Sequence, residues 1–218
     1  MISSFKSAFV LGLFSLIALS NAENNDCALN NICFSLDQSG SIVSPGLYPN
    51  IREFTVDAAK EFDDRTKDSY FSAVGFASGV KLIQAPTQSL STFNTAVNTV
   101  SPLNGGTNIF RGLRGCYQQL KTKPMTDRVL ILVTDGFGGQ PINYCNFIKS
   151  KGILLVTVGI GTSINQNFLK NCATSEEFYI NVKDTGRPHR QGVHGDRHGV
   201  PRTRAMWRTT SATSSSKG

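Results

Sequence analysis

Between Asn31 and Ile180, short apolar runs alternate with stretches whose apolar residues recur at helical spacing. Ile32-Cys33-Phe34-Ser35-Leu36 reads as a strand that ends at Asp37. From Leu47 to Phe62, Ile51, Phe54, Ala58 and Phe62 fall on one face of an amphipathic helix. Tyr70 to Phe76 and Val80 to Ile83 predict two strands joined by a tight turn at Ser78-Gly79, and Ser89 to Val100 predicts a weaker helix. Beyond the Gly105-Gly106 turn, Ile109, Leu113, Cys116 and Leu120 line one helical face. Val129 to Val133 is apolar without a break, which marks a strand covered on both sides in a parallel sheet. Ile153 to Val158 is a second such strand, and a helix over Asn143 to Lys151 fits between the two as a right-handed crossover. A short helix over Asn165 to Asn171 and a last strand over Glu177 to Ile180 complete the series. Strands and helices that alternate at these lengths imply a doubly wound, mostly parallel α/β sheet with one antiparallel edge strand.

Composition changes this picture at the two ends. Lys6, the apolar stretch Ala8 to Leu19 and the small residues Ser20-Asn21-Ala22 read as a secretory signal peptide over residues 1–22. Its apolar run is short for a bilayer span, and no later stretch is long and apolar enough for a transmembrane segment. The net charge of +7 would point to a polyanion, but residues 187–218 alone carry +6, and residues 23–186 are formally neutral. Residues 187–218 have no apolar period and end in a Thr/Ser run, so they read as a basic, disordered tail. Nucleic acid is therefore not an expected partner of the globular part. An extracellular destination permits disulfides, and the five cysteines are an odd set. Cys145 and Cys172 lie in consecutive helical segments that flank one strand, which predicts a bridge between them; Cys27 is left unpaired or intermolecular, and Cys33, inside a strand, reads as a buried thiol.

The chemistry gathers where the strands end. Asp37-Gln38-Ser39-Gly40-Ser41 follows the first strand directly, and the carboxyl ends of strands in a doubly wound sheet form its ligand crevice. Asp135 reaches the same edge after Val129 to Val133, and Thr107 reaches it from the Gly105-Gly106-Thr107-Asn108 turn. Asp37, Ser39, Ser41, Thr107 and Asp135 make an all-oxygen set with two carboxylates, which suits a hard cation such as Mg²⁺ or Mn²⁺ and disfavours zinc or copper. Tyr48, Phe137 and Tyr144 are candidate aromatic contacts on the rim of that crevice.

Taken together, Asp37-x-Ser39-Gly40-Ser41, Thr107 in Gly105-Gly106-Thr107-Asn108-Ile109, and Val133-Thr134-Asp135-Gly136 resemble the three segments of the metal-ion-dependent adhesion site of von Willebrand factor type A domains. The resemblance covers residues 29–183 and includes Val156 to Gly161 after the crossover. It implies a Rossmann-like fold, a metal shell formed by those five residues directly or through water, and a partner protein whose Glu or Asp completes the coordination. Members of the family follow the last strand with a C-terminal helix; here Asn181-Val182-Lys183-Asp184 runs straight into the polar tail, so that helix reads as missing.

An enzyme is the competing class. His189, His194 and His198 all lie in the tail, which leaves no Ser-His or Cys-His pair in the globular part, and no basic phosphate clamp accompanies the two aspartates. The expected function is a secreted, non-enzymatic adhesion or recognition module that binds an extracellular protein through a bridging divalent cation. The alternatives are a structural domain with a vestigial metal site and a metal-dependent hydrolase.

Overall fold

The computed structural model describes residues 30–66, 68–123 and 127–182. Six strands, β1 (Asn30–Asp37), β2 (Tyr70–Phe76), β3 (Val80–Thr87), β4 (Asp127–Thr134), β5 (Ile153–Ile160) and β6 (Tyr179–Val182), form one sheet in the order β3-β2-β1-β4-β5-β6. Only the β2–β3 pairing is antiparallel. The helices are α1 (Gly40–Val43), α2 (Tyr48–Arg65), α3 (Leu90–Thr99), α4 (Ile109–Leu120), α5 (Ile142–Ser150) and α6 (Gln166–Cys172). The doubly wound architecture expected from the pattern is the one observed. The largest differences from the pattern are that α1 has no counterpart in it, that β3 continues past Ile83 to Thr87, and that the last strand starts at Tyr179 because Glu176–Phe178 forms a 3₁₀ turn. No helix of the described residues is long and apolar enough to cross a membrane.

Each central strand is buried on both faces because its side chains alternate between two cores. Ile32, Phe34 and Leu36 of β1 join Val129, Ile131 and Val133 of β4 against α2 and α3, where Phe93 meets both Phe34 and Phe71 at ring separations of 5.6 and 5.7 Å. Cys33 of β1 joins Leu130 and Leu132 of β4 against α4, α5 and α6. Burying each such side chain contributes about 1.5–3 kcal/mol. Helix α4 sits close to the sheet because Gly112 has no side chain; a Cβ there would stand 2.3 Å from the Phe76 ring.

Cys33 is a correction to the sequence reading. It is fully buried, as its strand position requires, but it is bonded to Cys116 and is not a free thiol. The reason is tertiary: α4 lies across β1 and brings the two Cα atoms to 5.5 Å over 83 residues of sequence. A second disulfide joins Cys145 of α5 to Cys172 at the end of α6, with a separation of 27 residues. The residues read as a signal peptide, Cys27, the residues read as a basic tail and the stretch where a C-terminal helix reads as missing all lie outside the described residues.

The two bridges close loops of different length, so they restrain the unfolded chain by different amounts. Loop entropy gives about 4.5 kcal/mol for the longer loop and about 3.5 kcal/mol for the shorter. Urea denaturation should accordingly find the Cys33→Ala/Cys116→Ala variant about 1 kcal/mol less stable than the Cys145→Ala/Cys172→Ala variant. The reverse ranking would show that local packing outweighs loop length.

Candidate metal centre

The parallel register of β1 and β4 sets Leu36 level with Val133, and hence Asp37 level with Thr134 at the carboxyl ends of the two strands. Thr134 donates its hydroxyl to Asp37 Oδ2 at 2.6 Å, and the Ser39 N–H donates to Asp37 Oδ1 at 2.9 Å. Asp37 is fully buried, whereas Asp135 retains 5% of its surface. Burial pushes the Asp37 carboxyl from the ordinary 3.8 up to about 6, against the lowering effect of its bonds to Ser39 and Thr134, and the Asp135 charge adds a further upward push. Among the described residues no lysine or arginine acts on Asp37 to offset that cost.

Two further hydroxyls lie together on the loop after β1. Ser39 Oγ and Ser41 Oγ are 3.1 Å apart, Ser39 buried and Ser41 exposed at the mouth. Asp135 is oriented by the Phe137 N–H, which donates to its Oδ1 at 3.0 Å, and Gly136 N–H donates to Thr134 Oγ1 at 3.0 Å. Thr107 is half-buried in a turn that two other loops approach. On one side the Gly40 N–H donates to Gly105 O at 2.7 Å; on the other, Gly138 (φ +115°) lies so close that a Cβ would stand 2.5 Å from Thr107 Cβ. The loop after β4 can thus approach Thr107 only because residue 138 is glycine.

Gln38 is a residue that the sequence reading passed over. Its N–H donates to Phe76 O, its C=O accepts from the Asn104 N–H, its Oε1 accepts from the Leu103 N–H at 3.2 Å, and its Nε2 donates to the Tyr48 hydroxyl. One buried amide therefore ties the β1 loop to β2, to α2 and to the segment that carries Thr107. Thr134 was missed as well, although a hydroxyl residue immediately before Asp-Gly at the end of an apolar strand was its signal.

The rim expectation divides. Phe137 is 45% exposed and lies in the loop that begins at Asp135. Tyr144 is half-buried on α5. Tyr48 is corrected: at 3% exposure it is a core residue whose hydroxyl is taken by Gln38, and it offers no surface to a partner.

Among the described residues, no group of three or more His, Cys, Asp or Glu forms a metal cluster. The candidate is instead two carboxylates with hydroxyls, and its chemistry fits a hard divalent cation. Asp37 bears the cost of burial without a cationic side chain beside it, and a bound dication would supply the missing positive charge.

The model of the von Willebrand factor type A domain matches residues 31–190. The chain belongs to the von Willebrand factor type A domain family. No curated protein sequence matches the chain. Among solved structures, proximal thread matrix protein 1 from the mussel byssus is 28% identical with a TM-score of 0.59, covering 72% of this chain and 42% of its own. A further structure of that mussel protein, whose metal-ion-dependent adhesion motif is occupied by zinc, matches at 28% identity with a TM-score of 0.63 over the same shares of both chains. This chain thus spans about two fifths of the length of the mussel protein. The von Willebrand factor domain of the type V pili tip protein Mfa5 from Porphyromonas gingivalis shares the fold at 12% identity and a TM-score of 0.60, covering 72% of this chain and 90% of that one. The family consists in general of non-catalytic adhesion and protein-interaction modules.

Two outcomes follow from the geometry of the centre. Because Asp37 titrates near 6, a cation competes with a proton below that pH, so Mg²⁺ affinity measured by calorimetry should fall by about tenfold per pH unit below 6 and level off above it. In chelator the sign for stability is opposite to that of an ordinary carboxylate. The native state binds the proton more tightly than the unfolded chain between about 4 and 6, so stability should fall as pH rises through that window, by on the order of 3 kcal/mol, a loss that Asp37→Asn removes. Separately, Gly138→Ala should displace Thr107 and weaken Mg²⁺ by about tenfold, strain at such a position being worth roughly 1–3 kcal/mol. An unchanged affinity in that variant would show that Thr107 is not a ligand.

Proposed function

We propose that this domain is a secreted recognition module that holds Mg²⁺ or Mn²⁺ on Asp37, Ser39, Ser41, Thr107 and Asp135, and binds an extracellular protein whose acidic side chain completes the metal's coordination. The observation that carries this reading is the pairing of Asp37 with Asp135 at the carboxyl ends of β1 and β4, among hydroxyls and without a neighbouring lysine or arginine on Asp37. A divalent cation there neutralises the pair and keeps Lewis acidity for one more oxygen ligand.

The chain's own residues divide the work. Asp37 and Asp135 supply the negative charge, Ser39, Ser41 and Thr107 supply neutral oxygens that leave the ion electrophilic, and Thr134 and the Phe137 N–H fix the carboxylates. Cleavage of the signal over residues 1–22 delivers the domain to an environment in which its disulfides persist. The mussel thread protein and its zinc-occupied motif support both the extracellular setting and a metal at this place in the fold.

The test is the cation alone. Stabilisation on adding Mg²⁺, Mn²⁺ or Zn²⁺ at a hundred times the dissociation constant should be about 2.7 kcal/mol for the native protein. Asp37→Ala and Asp135→Ala should abolish it, and Thr107→Ala should reduce it less, since water can replace a neutral hydroxyl. Absence of any cation-dependent shift in the native protein would favour a vestigial site.

A further inference from the structure

Beside the metal-site loops, the N-terminal ends of α4 and α5 enclose an open cleft of about 540 Å³. Its walls include Phe110, Gln140, Pro141, Tyr144 and Phe147. The aromatic rings form a chain across the two helices. Phe110 meets Tyr144 edge-on at 4.7 Å, Tyr144 stacks on Phe147 at 5.4 Å, and Phe147 meets Tyr117 edge-on at 5.3 Å. Phe110 and Phe147 are 39% and 38% exposed, so this chain is surface and not core. The core beneath α4 and α5 is already filled by Leu113, Cys116, Cys145 and Ile148, so the outer faces of these two rings are free to meet a partner.

Basic side chains accompany the rings of the two helices. Neither α4 nor α5 contains an aspartate or glutamate. Arg114 acts on the Tyr144 hydroxyl, Lys121 lies 5.4 Å from the Tyr117 ring centroid, and Lys151 lies 5.1 Å from that of Phe147. The cleft is linked to the candidate metal residues along the chain: Phe110 is three positions beyond Thr107, and Gln140 and Pro141 end the loop that begins at Asp135.

We infer that this cleft takes an aromatic side chain flanked by acidic residues, from the same partner segment whose carboxylate reaches the metal. The inference rests on the metal-site reading and adds the sequence chemistry of the partner to it. A chain covers about 3.3 Å per residue when extended, so the optimum spacer between the carboxylate and the aromatic residue reads out the separation of the two places. The aromatic ring fills the apolar cleft and extends the edge-on and stacked contacts, while its acidic neighbours meet Arg114, Lys121 and Lys151. A second copy of the domain fits less well. Its acidic helix α2 carries Asp57, Asp63 and Asp64, but the aromatic residue on that helix nearest the surface, Phe54, packs against its own core.

The experiment uses the full chain and fluorescein-labelled synthetic peptides in which one Glu is followed, after Gly-Pro spacers of increasing length, by Phe and three Asp. Anisotropy is read in Mg²⁺ and in chelator, for the native protein, Phe110→Ser, Phe147→Ser and Asp135→Ala. Expected are binding that requires Mg²⁺, an optimum spacer, and a loss of about tenfold in either Phe variant or when the peptide's Phe is replaced by Ala. Metal-dependent binding that neither Phe variant changes would overturn the cleft and leave the metal reading standing. Binding lost in the Phe variants but indifferent to chelator and to Asp135→Ala would keep the cleft and overturn the metal reading. No binding of any peptide overturns the inference, and so does dextran sulfate binding or self-association by sedimentation that the same Phe variants abolish, each of which assigns the cleft a different occupant.

Discussion

The register between β1 and β4 governs the functional edge of this domain. With Leu36 level with Val133, the chain must deliver Asp37 beside Thr134 and one residue away from Asp135. A slip of one residue would turn every β4 side chain to the opposite face and exchange Leu130 and Leu132 for Val129, Ile131 and Val133 in the two cores. The apolar packing that fixes the sheet thereby fixes the carboxylates, at an electrostatic cost that appears as the raised titration of Asp37. Hydrophobic burial outweighs that cost because it acts along the whole length of both strands.

Around this pair, backbone geometry does what side chains alone cannot. Glycine at 138 permits the approach of the β4 loop to Thr107, and Gly136 turns the chain at φ +82° directly after Asp135. Gln38 holds the opposite side, where its amide and its backbone together engage β2, α2 and the segment before Thr107. Preorganisation of this kind matters for a weakly charged site, since a hard cation gives up its water only to oxygens already in place.

The two layers of helices differ in character. Helix α2 is rich in acidic residues, whereas α4 and α5 carry arginine and lysine and expose aromatic rings beside the metal-site loops. The disulfides reinforce the same layer: Cys33–Cys116 anchors α4 to the sheet, and Cys145–Cys172 ties α5 to α6.

How much was legible in the sequence follows from the range of the forces involved. The apolar run Val129 to Val133 and the amphipathic face of Ile109, Leu113, Cys116 and Leu120 declare a strand and a helix because periodicity is local. Asp37, Ser39, Ser41, Thr107 and Asp135 were legible as candidates because each follows directly on such an element or in the turn before one, and the sheet topology assigns them to one edge. The Cys33 bridge, the burial of Tyr48 and the buried contacts of Gln38 were not legible, because each depends on how separate elements pack against one another and not on local periodicity. The aromatic chain on α4 and α5 was hidden for the same reason: Phe110, Tyr117, Tyr144 and Phe147 belong to two helices whose mutual approach only the packed sheet decides. The sequence by itself therefore determined the elements, their order and the chemistry at their ends. Only the tertiary structure decided which side chains meet across elements, because those contacts depend on distances that the covalent chain does not set.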